Sequence, residues 1–193
     1  MKNSALILID IQKGFDDPAY WGERNNPDAE KNAAVILNAW RKNKWPIFHI
    51  KHNSSNPKSR LAPGQTGNEI KDEVKPLAGE PVIEKNVNSA FIGTDLKERL
   101  EAQQIKSLVV VGLTTDHCVS TTVRMAGNFG YETWLVSDAT ATFAKTSADG
   151  EKFPPDLIHR VSLASLHDEF ATVITAKELL EKIKTIHESI TEK

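Results

Sequence analysis

Three residues whose side chains together support covalent acyl chemistry occur at separate points of the chain: Asp10, Lys85 and Cys118. A cysteine thiolate attacks carbonyl carbon, a carboxylate takes or returns a proton, and an ammonium stabilises a neighbouring thiolate. Cys118 is the single cysteine of the sequence, which excludes an intramolecular disulfide and a cysteine-rich zinc site. Its reactivity is therefore the property that needs an explanation.

Each of these three residues belongs to the end of a predicted β-strand. Asp10 follows the first strand, Lys85 ends the third, and Cys118 comes a few residues after the fourth. In open parallel sheets, side chains at the carboxyl ends of the strands converge on one cleft. A helix is predicted to begin at Cys118, and its dipole together with a nearby ammonium favours the thiolate. We therefore expect Cys118 to have a lowered pKa and to act as a nucleophile.

Short apolar, β-branched runs alternate with longer amphipathic runs, which is typical of βαβ units around a parallel sheet. Strands are predicted at residues 5–9, 46–50, 81–85, 108–111, 133–136 and 170–174. Helices are predicted at residues 28–43, 94–103, 118–128 and 155–166, and from a Thr175–Glu178 capping box to about residue 187. The right-handed crossover rule then predicts a Rossmann-like, three-layer α/β/α sandwich with a six-stranded, mainly parallel sheet.

Length and composition limit the classes of protein to consider. The 193 residues, of which 39% are hydrophobic and 26% charged, predict one domain that spans residues 1–193. A net charge of -2 argues against nucleic acid as a partner. No apolar run is long enough to cross a bilayer, and residues 1–3 lead directly into a strand, so we expect a cytoplasmic protein without a membrane partner. The proline-containing stretch 51–80 is predicted to be a long loop that serves as a lid or a wall.

Three motifs, in order, resemble those of the cysteine hydrolases of the isochorismatase-like superfamily over nearly the full chain. Residues 8–15, Leu-Ile-Asp-Ile-Gln-Lys-Gly-Phe, are similar to the motif that supplies a catalytic aspartate. Glu84-Lys85 followed by Asn-Ser-Ala-Phe at 88–91 resembles the lysine motif, and residues 112–119, Gly-Leu-Thr-Thr-Asp-His-Cys-Val, resemble the nucleophile motif. The resemblance implies a six-stranded sandwich and hydrolysis of amides or ureas, as in nicotinamidases, N-carbamoylsarcosine amidohydrolase and ureidoacrylate amidohydrolase.

The same resemblance implies a mechanism for the three residues. Asp10 would be the general base, Lys85 would keep Asp10 ionised and stabilise the thiolate, and Cys118 would form a thioester. The backbone amides of Thr114 and Cys118 are the candidate oxyanion hole. The resemblance further implies a cis peptide bond between Leu113 and Thr114.

Departures from the family patterns limit which cofactors and which reactions are expected. Nicotinamidases carry an Asp-x-His pair after the second strand that helps to hold a metal, whereas residues 49–54 here read His-Ile-Lys-His-Asn-Ser. We therefore expect neither a metal nor another cofactor, and we expect His49 to be a buried core or interface residue. The branch that cleaves isochorismate does not use thiol chemistry, so Cys118 argues against that activity.

Several other residues are candidates for the substrate pocket. Aromatic walls and polar contacts to the acyl group are expected from Gln12, Phe15, Trp21, His52, Asn53 and Phe91. His117 either gates the cleft or caps a turn. Arg60 either binds a substrate carboxylate or is an ordinary surface arginine.

The leading hypothesis is a cysteine hydrolase that cleaves a C–N bond of a small molecule. The alternatives are a catalytically silent binding domain, an isochorismate-type hydrolase of the same fold, and a redox sensor, which here has no second cysteine to resolve a sulfenic acid. A homo-oligomer, dimer or tetramer, is expected from the resemblance. Trp40, Trp45 and the final helix are candidates for its interface or for the core.

Overall fold

The computed structural model describes residues 4–191 of the chain. The strands are β1 Ala5–Ile9, β2 Ile47–His52, β3 Val82–Lys85, β4 Ser107–Leu113, β5 Glu132–Ala141, β6 Lys145–Thr146, β7 Lys152–Phe153 and β8 Thr172–Ile174. The helices are α1 Pro18–Trp21, α2 Ala29–Asn43, α3 Leu96–Ala102, α4 Ser120–Asn128, α5 Pro155–Leu166 and α6 Ala176–Thr191. Within residues 4–191, no helix is both long and apolar enough to span a membrane.

Six of the strands form one sheet in the order β3-β2-β1-β4-β5-β8, and every neighbouring pair is parallel. Side chains of β1 alternate between the two faces, as the two-residue period of a strand requires. Ile7 and Ile9 belong to a core cluster with residues of α3, α4 and α5, whereas Leu6 and Leu8 belong to a cluster with residues of α2 and α6. Helices therefore cover both faces of the sheet, and the predicted three-layer sandwich is confirmed.

The structure extends or adds elements that the apolar pattern did not reveal. The fifth strand continues to Ala141, well beyond the predicted residue 136, because β4 and β5 change register between Val110 and Gly112 and then pair again. Strands β6 and β7 form a short antiparallel hairpin that was not predicted. In both regions polar residues occupy strand positions, so hydrophobic periodicity gave no signal for them.

The long connection between β2 and β3 is held against the rest of the protein by buried polar residues. Asn68 donates through Nδ2 to the carbonyl oxygens of His52, at 2.9 Å, and Leu61, at 2.8 Å. Lys71 is buried, and its Nζ contacts Asp16 at 2.5 Å and Glu30 at 2.7 Å. These anchors favour the wall over the lid of the two predicted roles.

His49 and Trp40, for which the sequence allowed either a core or an interface role, lie in the interior. His49 is 1% exposed and its Nε2 lies 2.9 Å from Glu80 Oε2, which confirms a core histidine with a partner. Trp40 is fully buried and donates through Nε1 to the Ser4 carbonyl at 3.0 Å. Trp40 therefore belongs to the core, which is one of the two roles considered for it.

Glu80 links the long wall segment to α2 and β2. Burial opposes its ionisation, but hydrogen bonds from Arg41, the Leu77 amide and His49 outweigh that effect and lower the pKa of Glu80 to about 2. Because its ordinary pKa is 4.5, the Glu80 carboxylate stabilises the fold above about pH 4.5, and this contribution is lost as the pH falls toward 2.

Glu80→Gln is accordingly expected to lower the free energy of unfolding by about 1–3 kcal/mol at pH 7. The difference from the native chain should shrink between pH 4.5 and 2, as Glu80 itself becomes protonated. Urea unfolding over that pH range measures both effects. Glu69→Gln, which removes an exposed partner of Lys13, is the matched control and should change the stability by less than about 0.5 kcal/mol. A pH-independent difference would show that Glu80 acts through packing alone.

Candidate active site

Asp10 is positioned by the end of β1. Its backbone N–H donates to the Ile50 carbonyl at 3.0 Å, and its own carbonyl accepts from the Gln12 amide at 2.9 Å. The φ angle of Asp10 is +50°, in the left-handed region that non-glycine residues seldom occupy. Strained backbone of this kind persists only where the surrounding structure holds it in place. It is found most often at functional sites.

Lys85 ends β3 and forms a buried ion pair with Asp10. Its Nζ lies 2.6 Å from Asp10 Oδ2, and both side chains are completely buried. Lys85 and His52 are register partners of β2 and β3, and the ammonium lies 3.1 Å from His52 Nδ1. The other carboxylate oxygen of Asp10, Oδ1, is buried without a hydrogen-bond partner among residues 4–191. This oxygen is therefore available to take a proton.

Cys118 lies in a π-helical turn, Thr115–Val119, which we call the nucleophile turn. The peptide bond between Leu113 and Thr114 that precedes it is cis, as expected. The Thr114 carbonyl accepts from the amides of His117 and Val119, both at 3.2 Å. Helix α4 begins only after this turn, so the prediction that the helix starts at Cys118 is wrong by two residues, because a π turn leaves no distinct signal in the sequence.

Close contact between β1 and β4 brings the nucleophile turn toward Asp10. Gly112, near the end of β4, has a φ angle of +126°, and a Cβ atom there would lie 2.0 Å from the Ile9 carbonyl oxygen. Only glycine fits this position. The end of β4 is thereby held directly against the residue that precedes Asp10.

The predicted triad is brought together with His52. One ligand atom each from Asp10, His52 and Cys118 lies within 4.8 Å of the other two. These residue types can bind a divalent cation, but the ammonium of Lys85 already contacts the first two of them. A metal ion bound there would repel that buried ammonium, which would have to move away or lose its proton. The cluster therefore favours proton chemistry over metal binding.

The electrostatics of the cluster correct the expectation of a lowered thiol pKa. Burial raises the pKa of Cys118, the neighbouring Asp10 charge raises it further, and Lys85 only partly offsets them. Burial also raises the pKa of Asp10, against the opposing effect of Lys85. Because the ammonium is paired with Asp10, the unreacted site holds a neutral thiol beside a carboxylate of increased basicity.

His52 is electrically neutral in this site. Burial, and then the charge of Lys85, lower its pKa to about 4. A neutral imidazole has one acceptor nitrogen, and the position of Nδ1 lets it accept from the Lys85 ammonium. His52 therefore helps to orient Lys85, in addition to its predicted contact with substrate, which stays a prediction.

Two residues predicted to contact substrate form hydrogen bonds within the site. Gln12 donates through Nε2 to the carbonyls of His52 and Asn68 at 3.0 and 2.9 Å, and its Oε1 accepts from the His52 amide at 2.8 Å. Asn53 donates to Glu84 Oε2 at 2.9 Å and accepts from Asn68 at 3.1 Å. Gln12 is completely buried and both hydrogens of its amide are used, so it builds the site and does not bind the acyl group. The predicted substrate contact of Asn53 stays a prediction.

The aromatic candidates lie in two places. Phe91 packs on Phe129 and Tyr131, with centroid distances of 5.3 and 6.1 Å. Its predicted contact with substrate stays a prediction. Phe15 and Trp21 pack against one another with tilted rings, and both stack on Phe143. Phe15 and Phe143 help to line a cavity of about 280 Å³ whose described lining contains no triad residue, so the predicted substrate contacts of Phe15 and Trp21 stay predictions.

The remaining candidates lie nearer the surface. His117 is 56% exposed, and its Nε2 is 3.5 Å from Asp116 Oδ2. Arg60 donates to Asp17 Oδ2 at 2.6 Å and covers the ring of Tyr20, which favours the surface role. The oxyanion roles of the backbone amides of Thr114 and Cys118 stay predictions.

One neighbour of the Cys118 nucleophile is not among the site residues predicted from the sequence. Asn88 is exposed, and its Oδ1 lies 3.8 Å from Cys118 Sγ. This residue belongs to the motif that follows Lys85, and its place in that motif is the signal in the sequence that points to the site. Asn88 is thus a polar side chain placed to meet a substrate that enters beside the thiol.

Comparisons with known proteins agree with this architecture. Residues 4–178 match the model of the isochorismatase domain. An uncharacterised isochorismatase family protein of Bacillus subtilis is 47% identical over 186 residues, which cover 96% of this chain and 99% of that protein. A crystal structure of an isochorismatase-family protein from Chromobacterium violaceum has 43% sequence identity and a TM-score of 0.92, and the alignment covers 96% of this chain and 95% of that one.

More distant relatives carry names of amide- and ureide-cleaving enzymes. Nicotinamidase 3 of Arabidopsis thaliana is 28% identical over 191 residues, which cover 92% of this chain and 87% of that protein. A ureidoacrylate amidohydrolase of Caulobacter segnis is 26% identical over 177 residues, which cover 92% of this chain and 65% of that protein. The resemblance found in the three motifs is thereby confirmed along the chain: this protein belongs to the isochorismatase family of hydrolases.

Proposed function

We propose that this protein is a cysteine hydrolase that cleaves the C–N bond of a small amide, carbamoyl or ureido compound through a thioester. The observation that carries the proposal is the buried Asp10–Lys85 ion pair next to Cys118, at the carboxyl ends of three parallel strands. Such a pair is costly to bury and is expected where proton transfer is needed. The names of the nicotinamidase and the ureidoacrylate amidohydrolase support the bond class.

The first half-reaction follows from the protonation states of the site. Cys118 Sγ attacks the substrate carbonyl carbon while its proton passes to Asp10, whose buried carboxylate is more basic than usual. The carbonyl oxygen becomes an oxyanion, for which the amides of Thr114 and Cys118 are the proposed donors. Asp10 then returns the proton to the leaving nitrogen, the C–N bond breaks, and a thioester on Cys118 remains.

The second half-reaction uses the same base. Water enters where the amine has left, Asp10 removes its proton, and the hydroxide attacks the thioester carbonyl. The C–S bond then breaks, the proton returns to Cys118, and the acid product leaves. Lys85 keeps the buried charge of Asp10 compensated throughout, and its contact with His52 holds the ammonium in position.

An ammonia-release screen over primary amides, N-carbamoyl acids and ureido acids tests the proposed function. The native chain is expected to release ammonia from at least one class, and Cys118→Ala, which removes only the thiol, is the blank. Equal ammonia release by both proteins would contradict the proposed role of Cys118. Failure of all three substrate classes, with a folded native protein, would overturn the proposed bond class.

Hydrolysis is also expected to be independent of metal ions. The ammonium of Lys85 contacts both Asp10 and His52, so the cluster is already neutralised without a divalent cation. Dialysis against a chelator should change kcat by less than about twofold, with a dialysed sample in plain buffer as the control. A loss of activity that zinc or manganese restores would show that His52 binds a catalytic metal.

A further inference from the structure

A buried histidine outside the proposed mechanism contacts the nucleophile turn. His159, on α5, places Nδ1 2.9 Å from Oγ1 of Thr115, the first residue of that turn. Both residues are buried, Thr115 completely. A buried hydroxyl and imidazole at this distance form a hydrogen bond, because either group without a partner would be strongly penalised.

The surrounding bonds determine which nitrogen of His159 carries the proton. Asn26 Nδ2 donates to the carbonyls of Ser137 at 3.1 Å and Thr140 at 2.7 Å, which uses both of its hydrogens. His159 Nε2 lies 3.3 Å from that nitrogen and forms a hydrogen bond with the Ser137 carbonyl, which also accepts from Thr140 Oγ1 at 3.1 Å. This environment favours a proton on Nε2, so that Nδ1 accepts from the Thr115 hydroxyl.

One imidazole consequently joins three parts of the fold. Its ring belongs to α5, its Nε2 side faces Ser137 in β5 and the Asn26 loop residue, and its Nδ1 side holds the nucleophile turn. Asp116, the next residue of the turn, is held separately, since it accepts from the Thr142 hydroxyl and lies 3.3 Å from Lys145 Nζ. The turn has two independent side-chain anchors, so it can stay folded when one of them is removed.

We propose that His159 is a positioning residue that, through Thr115, fixes the nucleophile turn so that Cys118 Sγ faces Asp10. The expected effect of this role on turnover rests on the proposed function. The placement of the Cys118 thiol next to the Asp10 carboxylate does not depend on it. A displacement of about 1 Å at reacting atoms can cost on the order of 10²-fold in rate. The bond between His159 and Thr115 is therefore expected to matter for catalysis without contacting the substrate.

The test removes each partner of the bond and keeps a matched control. Thr115→Val preserves the side-chain shape without the hydroxyl, Thr115→Ser preserves the hydroxyl, and His159→Leu removes the imidazole. With a substrate from the ammonia screen, Thr115→Val and His159→Leu should each lower kcat by about 10- to 100-fold with KM within about threefold. Thr115→Ser should stay within about threefold of native kcat. The double variant Thr115→Val, His159→Leu should be no slower than the slower single variant.

His49→Gln is the control for loss of a buried histidine, because His49 lies in the core with Glu80 and outside the cluster. It should lower thermal stability and leave kcat within about twofold. Native kcat in Thr115→Val would overturn the inference. So would a double variant whose loss of kcat equals the product of the losses in the two single variants.

A second readout needs no substrate and covers the case in which His159→Leu does not fold. The charge of Asp10 raises the pKa of Cys118 only while the two are adjacent, so Asp10→Asn reports on their proximity. In the native background that substitution should lower the apparent pKa of iodoacetamide alkylation by about one unit or more. In the Thr115→Val background the change should be less than half as large. An equal change in both backgrounds would overturn the positioning role, whether or not the protein hydrolyses amides.

Discussion

Asp10→Asn is expected to slow hydrolysis by about 10²–10⁴-fold and, in the same protein, to speed alkylation of Cys118 near neutral pH. Asparagine keeps the shape of the side chain but cannot take the thiol proton, so both formation and hydrolysis of the thioester lose their base. The removed negative charge had raised the pKa of Cys118. Lys85, freed from its 2.6 Å ion pair, then favours the thiolate instead.

Two measurements test whether hydrolysis slows while alkylation becomes faster. They are kcat and the rate of iodoacetamide alkylation as a function of pH. The native thiol should show an apparent pKa above the usual value of about 8.5, and Asp10→Asn should lower it by about one unit or more. Asp72→Asn, which changes an exposed carboxylate near Lys13, should alter neither quantity. A fall in both rates in Asp10→Asn, or a native apparent pKa below 8.5, would contradict the neutral thiol assigned to this site.

Cys118→Ala is expected to have the largest effect, a loss of turnover to the uncatalysed background, while substrate still binds. The nucleophile and its base act as one unit, so the double variant with Asp10→Asn should be no worse than Cys118→Ala alone. Ammonia release measures turnover, and calorimetric titration of substrate into the inactive variant measures binding. Ser120→Ala, which changes a neighbouring hydroxyl outside the proposed triad, is the control for a substitution in the same segment. Retention of substantial turnover without the thiol would exclude a covalent role for Cys118.

The ends of β1 and β4 could be predicted because these strands are continuous apolar runs, whereas β3, Val-Ile-Glu-Lys, alternates between exposed and buried residues. Parallel sheets bury both faces, so β1 and β4 give an unmistakable pattern, and the residues that follow them converge at one edge. Periodicity also located α5 at its observed bounds. The association of Asp10, Lys85 and Cys118 therefore followed from the order of elements in the chain.

Other parts of the site depend on distances that the sequence does not contain. The side chain of Phe91 shares a motif with Asn88, but the structure directs Phe91 toward Phe129 and leaves Asn88 beside the thiol. The sign of the shift in the Cys118 pKa was predicted wrongly, because burial and the adjacent Asp10 charge outweigh the effect of Lys85. The partner of Thr115 lies 44 residues away on another helix, and no local pattern predicts that contact.

Mass spectrometry of a rapidly quenched reaction tests covalent catalysis by Cys118 most directly. Native protein mixed with a turned-over amide and quenched in acid within the first turnover is expected to carry the mass of the acyl group on the peptide that contains Cys118. The acyl mass should be absent from Cys118→Ala treated in the same way. Acyl mass on a different residue would contradict the thioester mechanism. So would first-turnover ammonia release without an acyl group on Cys118, under conditions in which the thioester forms faster than it is hydrolysed.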